Sequence, residues 1–115
     1  IPTNMTGIAA QLRRAGYRTH MVGKWDVGMA TAFHHPRSRG WESWLGYWHH
    51  SNDYWAQSEE MCDFRAVHDL WAYNSTFDGP ATHLANGRNC SQSNQAPLGE
   101  RCVFEEFILS DEVIR

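Results

Sequence analysis

The stretch "IAAQLRRAGYRTHMVGKWDVG", residues 8–28, constrains the fold of this chain more than any other. Residues 6–15 place small and aliphatic side chains on one stripe and polar side chains opposite, which predicts an amphipathic helix. Thr6 is suited to cap the start of this helix, and Gly16 lies where a left-handed cap would end it. Residues 17–25 are rich in β-formers, so a helix, a tight turn and a strand follow in succession. This alternation predicts an α/β layer architecture.

An aromatic segment, "WESWLGYW" at residues 41–48, follows a loop marked by proline and glycine. It spaces Trp41, Trp44 and Trp48 three and four positions apart, which predicts a short helix buried on its aromatic side. The helical spacing of these three tryptophans favours a place in the core over a flat platform for carbohydrate.

The second half of the chain carries weaker signals. Residues 66–73, "AVHDLWAY", predict a short strand. Residues 77–101 show no periodicity, which indicates a loop. A loop this long is uncommon in a compact domain, so the stretch is interpreted as a loop or an insertion. Residues 102–109, "CVFEEFIL", predict another strand, and Ser110 with two acids after it predicts the start of a helix.

Length and charge exclude several classes of function. The chain has 115 residues, enough for one small domain, and its net charge of −3 does not indicate a nucleic-acid groove or a polybasic membrane patch. No apolar run approaches the ~20 residues that span a bilayer. The chain begins without an initiator methionine or a signal pattern and ends within a helical pattern. We therefore expect residues 1–115 to be an internal fragment of a longer domain.

Cysteines and glycosylation motifs favour the secretory pathway. The count of 3 cysteines is odd. Cys90 and Cys102 flank a polar stretch, and we expect a disulfide between them to close it as a loop. Cys62 has no partner in this pairing. Three Asn-x-Ser/Thr motifs exceed the roughly one that chance predicts and favour a secreted or extracellular protein. Chance motifs in a cytosolic protein remain the alternative. The acceptor residues are Asn4, Asn74 and Asn89.

Lys24 and Asp26 are the first candidates for chemistry. In an extended segment alternate side chains share a face, so these two point together while Trp25 points away. Gly23 and Gly28 let the backbone bend or approach a ligand closely. The carboxyl end of a strand is where open α/β sheets bind ligands. The alternative is a surface ion pair in a turn, worth under ~1 kcal/mol.

Histidine doublets are the second candidates. His34-His35 and His49-His50 suggest a transition metal, since imidazole suits zinc, copper or nickel. Adjacent histidines point to opposite sides of an extended chain, and no i, i+4 histidine pair or Cys-x-x-Cys motif accompanies them, so metal binding is the weaker interpretation. We predict that His50 and Asp53 contact substrate. For Asp53 the alternative is an Asx-turn beside core aromatics.

Residues 12–55 resemble the sulfatase family, the arylsulfatases of the alkaline-phosphatase-like superfamily. Downstream, "RGWE" and "LGY" resemble the R-G-F-D and F-G-Y segments of that family, and "SNDYW" resembles the S-E-D-Y-Y of enzymes similar to N-acetylgalactosamine-4-sulfatase. The tail is weakly similar and residues 78–101 are not. The residues that match the family signature G-Y-x-T-x-x-x-G-K-W-H-L-G are Gly16, Tyr17, Thr19, Gly23, Lys24, Trp25 and Gly28.

This resemblance implies a partial alkaline-phosphatase-like α/β domain that hydrolyses sulfate esters with a formylglycine nucleophile beside a calcium ion. Lys24 inherits by position the family lysine's contact with sulfate and with the aldehyde hydrate. The calcium ligands are expected outside this chain. The implied substrate is a sulfated small molecule or glycan, and the implied compartment is lysosomal or extracellular.

Two departures from the family pattern bear on activity. The chain has no Cys/Ser-x-Pro-Ser-Arg nucleophile motif, because the stretch after Cys90 lacks the proline and the arginine. Asp26 stands where the family has histidine, and an ionised carboxylate accepts a hydrogen bond but cannot donate one. We expect Asp26 to pair with Lys24 and to accept from the hydrate. Two functions other than an active sulfatase stay open. The chain could belong to a catalytically impaired relative that binds sulfated glycans, or it could be a small disulfide-closed secreted binding module.

Overall fold

In the computed structural model of the chain, the described residues are 1–60, 62–63, 65–82, 84, 90 and 102–114. This part of the chain contains two α-helices with six short strands between them. The helices are α1 (Ile8–Arg14) and α2 (Glu105–Ile114), and the strands are β1 (His20–Val22), β2 (Ser43–Gly46), β3 (Ser58–Glu60), β4 (Ala66–His68), β5 (Trp71–Tyr73) and β6 (Asp78–Pro80). Mixed helix and sheet agree with the predicted α/β class.

A four-stranded sheet in the order β1-β2-β5-β6 organises the chain, and β3 pairs with β4 separately. Strands β1 and β2 are parallel, with Val22 opposite Leu45. Strand β5 is antiparallel to β2, with Gly46 opposite Trp71. The carboxyl ends of β1 and β2 and the amino end of β5 therefore lie at one edge of the sheet, which we call the site edge.

The two faces of the sheet carry different cores, because neighbouring residues of a strand point to opposite faces. Trp44 of β2 is 2% exposed and packs on an aromatic cluster, whereas Leu45 packs on an aliphatic one. The aromatic cluster contains Trp25, Trp44 and Tyr73, with Met21, Val27, Trp41, Trp48 and Trp71 against it. The aliphatic cluster contains Leu45, Leu70 and Ala81, with Ala72, Leu84, Ile108 and Leu109 against it.

The helix predicted at residues 6–15 is confirmed as α1, with one correction at its start. Gly7 is the N-cap and no side chain caps the helix there, so the capping role predicted for Thr6 is wrong. Gly16 has a φ of 87°, the left-handed conformation predicted after the last turn. Its backbone N–H donates to the carbonyl of Arg13 at 3.0 Å.

The helix predicted for residues 41–48 is wrong, since residues 43–46 form β2. Trp44 and Trp48 lie four positions apart, and this spacing puts two side chains on one face in a strand as well as in a helix. The pairing of β2 with strands on both sides decides between the two, and aromatic residues suit a sheet. The predicted packing of these tryptophans into the core is confirmed: Trp44 is buried, and Trp41 and Trp48 pack against its cluster. The ring centroids of Trp44 and Trp48 lie 4.9 Å apart.

Three further predictions need correction. The single strand predicted at 66–73 is two strands, because the buried Asp69 and Leu70 separate β4 from β5. Part of the predicted loop 77–101 forms β6, and most of its remainder lies outside the described residues. The predicted strand at 102–109 and the helix start at Ser110 are wrong, because α2 is already helical from its first glutamate.

Helix α2 is anchored through a buried acid at its first residue. Glu105 is 0% exposed, and its backbone N–H donates to the carbonyl of Tyr54 at 3.0 Å. The Asn52 amide Nδ2 donates to Glu105 Oε2 at 2.5 Å. Burial raises the pKa of Glu105 to about 8; the hydrogen bond from Asn52 opposes this rise, and the carboxylates of Asp69 and Asp53 add to it.

The cysteines differ in their state. Cys90 and Cys102 are joined by a disulfide with an S–S distance of 2.00 Å, and Cys62 is free and exposed. Within the described part of the chain, no helix has the length and apolar character needed to cross a bilayer.

Candidate functional site

The Lys24 segment leaves the sheet at the site edge. Strand β1 ends at Val22, and Gly23 follows with a φ of 103°, a conformation that favours glycine. Beyond it, the N–H of Trp25 donates to the carbonyl of Tyr47 at 2.8 Å. The indole of Trp25 is buried and donates to the carbonyl of Gly28 at 2.8 Å. Trp25 therefore anchors the segment and leaves its neighbours on the surface.

Lys24 and Asp26 meet at the surface of this segment. Lys24 Nζ lies 3.1 Å from Asp26 Oδ2, and the two side chains are 42% and 47% exposed. The predicted extended geometry is wrong at Asp26, which has a φ of 45°. Left-handed backbone is commoner for Asp, Asn and His than for most other residues. The side chains thus meet across a turn, and an exposed pair of this kind contributes below about 1 kcal/mol to stability.

His50 is the third charged or titratable side chain at this point. Its Nδ1 lies 3.8 Å from Asp26 Oδ1, so Asp26 stands between a lysine and an imidazole. The N–H of Asp26 also donates to the carbonyl of Trp48 at 3.1 Å, which connects the segment after β1 to the segment after β2. Lys24, Asp26 and His50 form what we call the Lys24 cluster.

Asp69 holds the segment that carries His50, and the sequence analysis missed it. Asp69 is 3% exposed; its Oδ1 accepts from the N–H of Trp48 at 3.0 Å, and its Oδ2 accepts from the N–H of His49 at 3.1 Å. Its carboxylate is therefore satisfied by the backbone just beyond β2. The signal available in the sequence was a single acid inside the apolar stretch "AVHDLWAY".

Asp53 performs a local structural task. Its Oδ1 accepts from the N–H groups of Trp55 and Ala56 at 2.8 and 2.9 Å, and its N–H donates to the carbonyl of Ser58. This is the Asx-turn that the sequence analysis kept as the alternative. The described contacts do not bring Asp53 to the Lys24 cluster, and its predicted contact with substrate stays a prediction.

A cavity of about 400 Å³ opens at the site edge. It lies between the segment after β2, the amino end of β5 and strand β4. Its lining residues are Met29, Thr31, Ala32, His35, Trp48, His49, Val67, His68, Asp69 and Trp71.

Burial lowers the pKa of two imidazoles in its wall, which favours their neutral form. Burial lowers the pKa of His35. The Asp78 carboxylate, 3.3 Å from its Nε2, raises the pKa but by less than burial lowers it. Burial also lowers the pKa of His68, although the charge of Asp69 and a hydrogen bond to the backbone of Gln57 both raise it. The cavity wall therefore combines apolar surface with imidazole groups that can form hydrogen bonds.

The described residues do not supply a metal centre. Among them no three His, Cys, Asp or Glu side chains lie close enough together to hold an ion. Calcium, which the resemblance implies, therefore finds no fitting set of ligands within that part of the chain. The transition-metal interpretation of the histidine doublets receives no support from this geometry.

Two of the three glycosylation motifs lie within the described residues. Asn4 is exposed. Asn74 is exposed in the turn between β5 and β6, where its Oδ1 accepts from the N–H and the hydroxyl of Thr76 at 2.9 and 3.0 Å. Asn89 lies outside the described residues. Glycosylation at these positions stays a prediction.

Comparison with known proteins gives a consistent result. Residues 1–94 match the family described as Sulfatase. Arylsulfatase G of Mus musculus is 42% identical over 53 residues, which cover 46% of this chain and 10% of that protein. Arylsulfatase J of Mus musculus is 33% identical over 73 residues, or 62% of this chain and 12% of that protein. The chain thus spans about a tenth of the length of the curated relatives it matches.

Proposed function

Because this chain belongs to the sulfatase family, we propose that it forms part of the catalytic domain of a sulfuric-ester hydrolase. Its sheet would be one portion of an alkaline-phosphatase-like α/β domain. The observation that carries the proposal is the position of Lys24, half-exposed at the site edge where two parallel strands end. That edge is where open α/β sheets bind their ligands.

Lys24 would bind the sulfate group. Its ammonium is a compact charge on a flexible stem. The backbone that carries this side chain is anchored by the buried indole of Trp25. A cation within contact of a sulfate oxygen stabilises negative charge that develops as the ester bond breaks. Asp26, 3.1 Å away, would hold the ammonium in place before sulfate arrives.

Asp26 would act as a hydrogen-bond acceptor toward the nucleophile. One oxygen faces Lys24 and the other faces His50, so the carboxylate is oriented from two sides. An ionised carboxylate accepts a proton from a hydroxyl group, which fits a base, but it cannot donate. His50, 3.8 Å away, is placed to supply the donor that a histidine at the position of Asp26 would have provided.

The remaining chemistry would come from other parts of the protein. A formylglycine hydrate supplies the attacking hydroxyl in the family pattern, and the sequence of this chain has no motif for it. Calcium would likewise be held by residues other than those described here. We propose a sulfated small molecule or glycan as substrate. The disulfide and the exposed Asn4 and Asn74 support a lysosomal or extracellular location.

A second candidate is a sulfatase-like protein that binds sulfated glycans without hydrolysing them. The contact between Lys24 and Asp26 favours loss of hydrolysis, because the carboxylate offsets positive charge that would stabilise the transition state of ester cleavage. The two candidates predict opposite effects of one substitution. Histidine tolerates the left-handed backbone at this position, so Asp26→His does not add strain.

The deciding experiment measures sulfate-ester hydrolysis by the full-length protein, with Asp26→His and the isosteric control Asp26→Asn. If Asp26 is the functional acceptor, both variants lose at least about tenfold in kcat/KM. If the site is impaired, Asp26→His raises turnover by about tenfold or more. Lys24→Ala should lower kcat/KM by about 100-fold, and wild-type activity that survives this change would refute the role of the lysine.

A further inference from the structure

Residues 24–26, which we call the Lys24 turn, are held by backbone contacts with the segment that follows β2. Asp26 has a φ of 45°, and a residue other than glycine keeps a left-handed conformation only where the surrounding structure fixes it. The N–H of Trp25 donates to the carbonyl of Tyr47 at 2.8 Å. The N–H of Asp26 donates to the carbonyl of Trp48 at 3.1 Å. The position of the turn therefore depends on two carbonyl groups just beyond the end of β2.

One carboxylate holds the same two peptide groups from their other side. The carbonyl of Tyr47 and the N–H of Trp48 belong to one peptide group, and the carbonyl of Trp48 and the N–H of His49 belong to the next. Asp69 Oδ1 accepts from the N–H of Trp48 at 3.0 Å, and Asp69 Oδ2 accepts from the N–H of His49 at 3.1 Å. Each oxygen of Asp69 is thus connected, through a single peptide group, to one backbone N–H of the Lys24 turn.

These two connections are rigid. Asp69 is 3% exposed and lies between β4 and β5, so the two paired strands beside it fix where its oxygens lie. Hydrogen bonds to a carboxylate are stronger than those between neutral groups, and buried hydrogen bonds in a chain strengthen one another. Because a peptide group is planar, a shift of the carboxylate moves the N–H that it holds together with the carbonyl on the opposite side. Displacing Asp69 would therefore displace the Lys24 turn.

The buried charge of Asp69 is otherwise unfavourable at this point. Its carboxylate is one of the causes that raise the pKa of the buried Glu105. Burying a charge costs free energy unless hydrogen bonds compensate for it. The two backbone N–H groups provide that compensation, and what they fix in return is the support of the Lys24 turn.

We propose that Asp69 is a positioning residue for sulfate-ester hydrolysis, which it serves by fixing the Lys24 turn through the two peptide groups that follow β2. Asp69 acts on the reaction through Lys24 and Asp26 and not by contact with the reacting atoms. A displacement of about 1 Å caused by a change far from the chemistry can cost about 100-fold in rate. The inference rests on the proposed function and adds to it a residue that orients the reacting groups.

The test is hydrolysis of 4-nitrophenyl sulfate by the full-length protein, with kcat and KM measured separately and expressed per folded molecule. Asp69→Asn keeps the shape but turns an amide NH₂ toward one of the two backbone N–H groups, which breaks one connection. Gly40→Ala is the matched control for lost stability. An added Cβ at Gly40 would meet backbone atoms of Ala9 and Ala10 in α1, so this change strains the fold without altering Asp69.

We expect Asp69→Asn to lower kcat by at least about tenfold and to change KM by less than about threefold, because the displaced groups act in the transition state. Gly40→Ala should lower the unfolding midpoint and keep kcat within about twofold of wild type. In a Lys24→Ala background, Asp69→Asn should add much less than its own tenfold loss, since both changes disable the same turn.

A kcat in Asp69→Asn no lower than that in Gly40→Ala would refute the positioning role while the proposed function stands. A full further tenfold loss in the Lys24→Ala background would also refute it, because Asp69 would then act independently of the turn. If Asp69→Asn yields no folded protein, Asp69→Glu replaces it under the same criteria, since it keeps both oxygens and displaces them by one methylene. A wild type without ester hydrolysis would reject the proposed function and the inference with it.

Discussion

Replacing Glu105 with glutamine should make the protein less sensitive to alkaline pH. The carboxyl group of Glu105 is 0% exposed, and one of its oxygens accepts from Asn52 at 2.5 Å. Its other oxygen, Oε1, and Asn52 Oδ1 are both buried without a hydrogen-bond partner among the described residues. A proton on the carboxyl group would let it donate to an acceptor, whereas the ionised form leaves two acceptors and no donor.

The magnitude follows from the shift of the pKa from its ordinary value of 4.5 to about 8. Between these values the folded state holds a proton that the unfolded state has released, so the free energy of unfolding falls as pH rises. The slope is about 1.4 kcal/mol per pH unit. The stabilisation is complete below pH 4.5 and is lost by about pH 8, at most about 5 kcal/mol in total.

The assay is the thermal unfolding midpoint of the full-length protein from pH 5 to pH 8.5, for wild type, Glu105→Gln and the exposed neighbour Glu106→Gln as control. Glutamine keeps the shape and cannot ionise, so Glu105→Gln should lose less stability than wild type as pH rises. The control should follow wild type. If the midpoint of Glu105→Gln falls with pH as steeply as that of wild type, Glu105 is not the titrating group and the reasoning is refuted.

Three further predictions concern the cavity, the fold and the compartment. Asp69→Asn should destabilise the protein by about 1–3 kcal/mol in chemical unfolding, because the amide NH₂ then faces a backbone N–H; an unchanged midpoint would remove Asp69 as the support of the site edge. Gly40→Ala should cost about 2 kcal/mol or more, since Gly40 has a φ of 101° and an added Cβ would lie 2.5 Å from the N of Ala10; a neutral effect would contradict the close packing of α1. Asn74→Gln should remove one glycan, seen as a smaller mass shift on glycosidase treatment, and an identical shift would show that Asn74 is unmodified.

The sequence was sufficient where a structure is local. The helix α1, its left-handed end at Gly16 and the strand leading to Lys24 depend on residues within a few positions of one another, and each was predicted correctly in kind. The contact of Lys24 with Asp26 is equally local, although it is made across a turn and not along a strand. Short-range sterics and side-chain spacing decide such features.

Tertiary structure decided the features in which distant residues take part. Residues 41–48 fit the spacing of a helix, and only their pairing with β1 on one side and β5 on the other makes them a strand. Asp69 and Glu105 read as ordinary acids in the sequence, yet each is buried against backbone or amide groups about 20 and 53 positions away. The cavity lined by Trp48 and Trp71 exists only once those pairings are made. Local periodicity cannot encode these features, because the hydrogen bonds and the buried surface that stabilise them are completed by partners far along the chain.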